Sequence, residues 1–113
     1  MDLKPENLVE IRRDFHRFPE LGFHEKRTRD KIASYLKELG LDVYYGSGIV
    51  GLLRVGHGTK VIGLRADMDA LPIQETNTHN YISKNKGIMH ACGHDGHMTM
   101  LLGAAHKLST NTN

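Results

Sequence analysis

Cysteine is almost missing from this sequence: 113 residues contain one, Cys92. No disulfide can close within the chain, which excludes the small secreted scaffolds that depend on such bonds. Cys92 is left as apolar filler, a reactive thiol or a metal ligand, in a compartment expected to be reducing and cytoplasmic. An excess of one charge sign is missing too. Fifteen Lys and Arg stand against 13 Asp and Glu, a formal net charge of +2, so no basic nucleic-acid surface is expected. No apolar run approaches the roughly 18 residues a membrane helix needs. The segment from Met1 to Glu10 lacks the apolar core of a signal peptide. Neither nucleic acid nor membrane is therefore expected as a partner. Proline is scarce, at 3 residues, and 39% hydrophobic with 25% charged residues is the composition of a folded domain rather than a disordered chain. The length allows one hydrophobic core.

What is present is periodicity. Pro5 stands where a first helical turn tolerates proline, and Leu8, Ile11, Phe15 and Phe18 then recur at three- and four-residue steps, predicting a helix that Pro19 stops. His24 to Leu39 predicts a second helix, with Ile32, Tyr35, Leu36 and Leu39 on one face and Gly40 as its C-terminal cap. Leu41 to Tyr45 reads as a short strand. The apolar runs Ile49 to Val55 and Lys60 to Ala66 flank Gly56-His57-Gly58 and predict a hairpin or adjacent strands. Gln74 to Gly87 is polar except for Tyr81 and Ile82, which predicts a surface loop. Helical spacing returns from Gly96 to Leu108 through Met98, Leu101, Leu102 and Ala105, and Ser109 to Asn113 is unpatterned. The order α-α-β-β-β-loop-α is an α/β pattern with no repeat or linker. Its last strand and last helix flank the chemistry, and ligands commonly sit at such strand ends.

Three imidazoles, one thiol and one carboxylate are crowded into His90-Ala-Cys92-Gly-His94-Asp95-Gly-His97. Thiolate and neutral imidazole are preferred zinc ligands, and the glycine between Cys92 and His94 lets the backbone bend until both side chains face one point. The positive end of the following helix favours a thiolate. Cys92 and His94 are thus candidate metal ligands, with His90, Asp95 and His97 as candidates for supporting or substrate contacts. A catalytic zinc usually takes three protein ligands, so further donors must come from elsewhere. The second candidate is Leu64 to Pro72, an apolar strand ending in two carboxylates. In extended backbone Asp67 and Asp69 point to one side, so one can reach a metal or its histidine while the other meets Arg65 or solvent. A turn with solvated aspartates is the alternative. His16, His24, His57, His79 and His106 fall on predicted helix faces or turns and are expected to be solvated. A rival reading makes Cys92 a nucleophile activated by His90, His94 or His97.

Leu64 to Glu75, LRADMDALPIQE, and Met89 to Ala105, MHACGHDGHMTMLLGAA, resemble the motifs of the M20 metallopeptidase family, and Ile11 to Glu25, IRRDFHRFPELGFHE, resembles its first helix and loop. The resemblance is to the amidohydrolase branch, which includes N-acyl-amino-acid amidohydrolases, hippurate hydrolases, N-acetyldiaminopimelate deacetylases and auxin-conjugate hydrolases. It implies part of a mixed-sheet, zinc-peptidase-like catalytic domain, with residues 1–113 as its N-terminal portion and no second domain. By the same resemblance Cys92 and His94 supply two ligands to a divalent metal, zinc or manganese first and cobalt or nickel next. Asp69 supports the metal site, and Asp67 stands where other branches have a histidine. The implied reaction is metal-dependent hydrolysis of the amide of a small N-acyl amino acid. The general-base glutamate and further ligands have no match among these residues, so the chain alone is expected to be inactive. A homodimer is expected through a domain absent from the sequence. The alternative is a truncated fragment that binds metal or a partner without turnover.

Overall fold

The computed structural model describes residues 5–110; Met1 to Lys4, and Asn111 to Asn113 of the unpatterned tail, lie outside them. Three helices, α1 (Pro5–Arg17), α2 (Lys26–Glu38) and α3 (His94–Thr110), combine with two strands, β1 (Asp42–Tyr45) and β2 (Ile49–Leu52). Helix α1 begins at Pro5 and stops short of Pro19, as the sequence predicts. Its Ile11 and Phe15 meet Leu36 of α2 and Met98 and Leu102 of α3 in one core. The approach of α1 to α3 is close. A Cβ added to Gly103 would lie 3.2 Å from Leu8. Phe18, expected on the α1 stripe, lies past the helix end, where the Arg27 guanidinium covers its ring at 4.1 Å.

Helix α2 is closed at both ends by residues outside it. No side chain at Glu25 caps its first turn; the Glu20 carboxylate does so, accepting the N–H groups of Arg27 at 3.0 Å and Thr28 at 2.6 Å. At the other end Gly40, at φ +88°, donates to the Lys37 carbonyl while Leu41 donates to that of Leu36. That bond pair needs a left-handed residue, which glycine supplies without strain. The backbone of the Glu20 segment also lies against the second motif, because Ala70 N–H donates to Glu20 O at 2.8 Å.

The strands correct the sequence reading. The hairpin is β1 with β2, antiparallel with Val43 opposite Gly51, and turns through Gly46 to Gly48 rather than Gly56 to Gly58. Strand β2 ends at Leu52 instead of Val55, and Lys60 to Ala66 forms no ladder with any described residue. The order is therefore α-α-β-β-α. The apolar pattern predicted extended backbone, but a strand is completed only by a hydrogen-bonded neighbour and a covering layer. Val61 and Ile62 are 87% and 85% exposed, so neither is supplied here. Helix α3 also begins two residues earlier than predicted, at His94, and runs to Thr110.

Glu20→Ala should lower stability by about 1 kcal/mol through loss of the α2 cap, whereas Glu25→Ala should change little. Urea unfolding of the two variants checks this, and equal midpoints would show that Glu20 is not the cap.

Candidate metal centre and its buried support

The turn before α3 sets the geometry. Gly93 has φ +84°, which allows the chain to reverse between Cys92 and the helix start at His94. Cys92 is exposed. The His94 ring lies between the two aspartates of the second motif. Its Nδ1 donates to the Asp69 carbonyl at 2.8 Å, with Asp69 Oδ1 at 3.2 Å. A carbonyl oxygen only accepts, so the neutral ring carries its hydrogen on Nδ1 and keeps the Nε2 lone pair free. Nε2 faces Asp67 Oδ2 at 3.9 Å, and the other Asp67 oxygen pairs with Arg65. The two aspartates do not end a strand, because the run before them forms no ladder among the described residues. One carboxylate reaches the histidine as well as Arg65, and the other steadies the same ring.

This donor set fits a divalent ion. A thiol, an imidazole with Nε2 free and Nδ1 anchored to a carbonyl, and a neighbouring carboxylate are the pattern of metal-ligating side chains held by an outer layer of hydrogen bonds. His97 stands beside it, its ring 5.8 Å from that of His94, and it is exposed. His90 lies beneath, 3% exposed, with neither ring nitrogen hydrogen-bonded. Burial, with His16 and His94 nearby, pulls its pKa down to about 4 against the attraction of Asp95 and Asp69, leaving it neutral at physiological pH.

Asp95, next to His94, is 1% exposed and anchors a network that the sequence did not reveal. Its Oδ2 accepts from His16 Nδ1 at 2.8 Å and from Arg12 Nε at 2.9 Å. The other nitrogen of His16 donates to Glu75 at 3.0 Å. Glu75 also accepts from Ser83 N–H at 2.6 Å and Asn77 Nδ2 at 2.9 Å, and His79 Nε2 lies 3.2 Å from it. Burial alone would raise the Glu75 carboxyl, but the hydrogen bonds from Asn77, His16 and Ser83, with the charge of His16, outweigh it and hold the pKa at about 2. His16 is therefore buried, contrary to the expectation of solvation, and His79 is half-buried with its ring stacked on Tyr81 at 3.8 Å. The loop from Gln74 to Gly87 is irregular as predicted, yet Glu75 ties it inward. The one available signal was position: His16 follows Phe15 and lies four residues after Arg12, in the helical row beside the buried stripe. Among the described residues, His16, Glu75 and His79 are the only three donor side chains whose ligand atoms converge within 4.8 Å. Cys92, His94 and the aspartates do not form so tight a group.

Residues 63–113 match the family model described as Peptidase family M20/M25/M40. The chain is 50% identical over 113 residues to a hippurate hydrolase of Campylobacter jejuni, covering 97% of this chain and 29% of that protein. It is 46% identical over 108 residues to thermostable carboxypeptidase 2 of Saccharolobus solfataricus, covering 92% and 28%. The fold matches the crystal structure of the Bacillus subtilis YXEP protein, a dinuclear metal-binding peptidase of the M20 family, with TM-score 0.90 and 37% identity, over 95% of this chain and 31% of that one. The chain thus spans under a third of the length of these relatives.

The Glu75 carboxyl, ordinarily at 4.5, is held at about 2. A depressed carboxyl contributes stability in full above its unfolded value and loses it as pH falls through its folded value. The thermal midpoint should therefore drop as pH is lowered from 4.5 to about 2, and Glu75→Gln should flatten that part of the profile. A wild-type profile that stays level across this range would count against the network.

Proposed function

This chain belongs with the M20 peptidases, and from that premise we propose that its Cys92–His94 turn forms part of a divalent-metal centre that hydrolyses the amide bond of N-acyl amino acids. The observation that carries the reading is the His94 ring, held by Asp69 through Nδ1 and presenting Nε2 beside Asp67. Cys92 and His94 would hold the ion, zinc or manganese. Asp69 orients the histidine, and Asp67 is the nearest carboxylate to its free nitrogen. When bound, such an ion lowers the pKa of coordinated water to about 7 and polarises the amide carbonyl. The general base is assigned to no residue of this chain.

The substrate class draws support from the two relatives' names. A hippurate hydrolase and a carboxypeptidase both cleave an amide whose nitrogen belongs to an amino acid with a free carboxylate. Cys92 is exposed, while His94, Asp67 and Asp69 are half-buried. A depression of about 500 Å³ lies beside α2, lined by residues from Glu20 to Ser34, and includes none of the donors.

Metal binding without turnover is the second reading. It is favoured by the exposed apolar side chains Val61, Ile62 and Leu64, on a segment that leads directly to Asp67, since apolar surface of this kind marks a face made for packing. In neither reading does a helix cross a membrane; among the described residues none is long and apolar enough.

Extended to the length of its relatives, the protein should release amino acid from N-acetyl or N-benzoyl amino acids, lose this on chelation and regain it with zinc or manganese. Bound metal without release would favour the second reading, and activity that survives chelation would remove the metal from both. Cys92→Ser should lower metal content while leaving thermal stability within about 0.5 kcal/mol, because Cys92 is exposed. Unchanged metal content would take Cys92 out of the ligand set.

A further inference from the structure

The buried cluster around Glu75 has two chemical readings, a metal site or a hydrogen-bonded strut. His79 decides between them. Tyr81 N–H donates to His79 Nδ1 at 3.3 Å, so the neutral ring carries its hydrogen on Nε2, the nitrogen that faces Glu75. To ligate a metal through Nε2 the ring would have to carry its hydrogen on Nδ1, where it would oppose the Tyr81 N–H. Glu75 is also supplied with donors: Oε1 takes Ser83 N–H, and Oε2 takes Asn77, His16 and His79. Every polar position is used by the chain's own groups.

A strut must connect two things. At one end is Glu75 in the loop. At the other is Asp95, whose Oδ2 takes His16 and Arg12, whose Oδ1 accepts Gly96 N–H at 2.9 Å, and whose carbonyl accepts Thr99 Oγ1 at 2.7 Å. Asp95 thereby fixes the first turn of α3 at its electropositive end. The residues before it, Ala91 to Gly93, belong to no ladder and are exposed. Their bond into the helix is Gly93 O accepting His97 N–H at 3.0 Å. What holds the ligand turn in place is then Asp69 on the side of His94, and Asp95 beneath.

We infer that His16 is a positioning residue for the metal centre: bridging Glu75 and Asp95, it fixes the first turn of α3 and with it the His94 ring and the Cys92 turn. Its two ring nitrogens lie 2.8 Å from Asp95 and 3.0 Å from Glu75, on opposite edges of one rigid ring, and no amide side chain spans two carboxylates in that geometry. The inference rests on the metal-centre reading above, and goes beyond it by assigning a residue of α1 to the setting of that centre.

The test uses His16→Gln in the purified protein, with Leu36→Val as a core variant that leaves the hydrogen-bonded line intact and His79→Phe as a variant that retains the stacking ring. Cobalt and zinc titrations read the centre directly. His16→Gln should bind about 10- to 100-fold more weakly, while the other two bind as the wild type does. Amide hydrogen exchange at Gly96 and His97 reads the turn without metal, and should accelerate in His16→Gln but not in Leu36→Val. If His16→Gln fails to fold, Glu75→Gln removes one end of the strut and should accelerate the same two amides. Unchanged exchange at Gly96 and His97 would overturn the inference. Loss of one ion per chain in His79→Phe would overturn it differently, by making the cluster itself the metal site. A wild type that binds no cobalt or zinc would defeat the metal-centre reading alone, and the exchange measurement would still decide the role of His16.

Discussion

The line of hydrogen bonds from Glu75 through His16 to Asp95 is the constraint on which the rest of the arrangement hangs. It joins the end of α1, the irregular loop and the start of α3. Those three segments share no strand ladder. Apolar packing holds α1 against α3 through Phe15, Met98 and Leu102, but packing is tolerant of small rotations and does not by itself set a side chain to a fraction of an ångström. Buried hydrogen bonds to charged groups are directional, and each partner left alone in the interior would be strongly destabilising. That asymmetry makes a polar line through the core specify one geometry.

The same logic explains the division between the buried and the open side of α3. Beneath the helix start, Asp95 and His90 are each 3% exposed or less; above it, Cys92 and His97 face solvent. Side chains proposed to meet an ion must be reachable, so their rigidity has to come from the layer below. His94 lies at the boundary, its ring fixed by the Asp69 carbonyl on one nitrogen and free on the other. Gly93 makes the transition possible by adopting a backbone conformation that a side chain would strain.

A second set of polar contacts carries the PEL element of the first motif, and its role is structural. Glu20 caps α2 with its carboxylate, and its carbonyl accepts from Ala70. Pro19 O accepts from Asn85 Nδ2 at 2.8 Å, and Lys84 N–H donates to Arg17 O at 2.8 Å. The segment after α1 is thereby fastened to the loop on one side and to the end of the second motif on the other. The three motifs legible in the sequence are thus one assembly, with the first holding the other two in register.

The sequence by itself determined the helices and the glycine cap of α2, because helical periodicity and Gly40 as a cap are local properties that neighbouring residues impose on one another, whereas the hairpin turn it placed at Gly56 to Gly58 lies at Gly46 to Gly48. It offered Asp67 and Asp69 either as contacts of the histidine chemistry or as solvated aspartates of a turn, and the tertiary structure chose by placing the His94 ring between them. The tertiary structure alone decided which run of apolar residues became a strand: Ile49 to Leu52 found β1, while Val61 to Leu64, equally apolar, found no ladder. It decided the fate of the histidines as well. His16 and His24 are the same residue type in the same first motif, yet His16 is buried between two carboxylates 59 and 79 residues away, and His24 is exposed. A polar side chain enters a core only where distant partners satisfy it, and that pairing is a fact of three dimensions that no local pattern encodes.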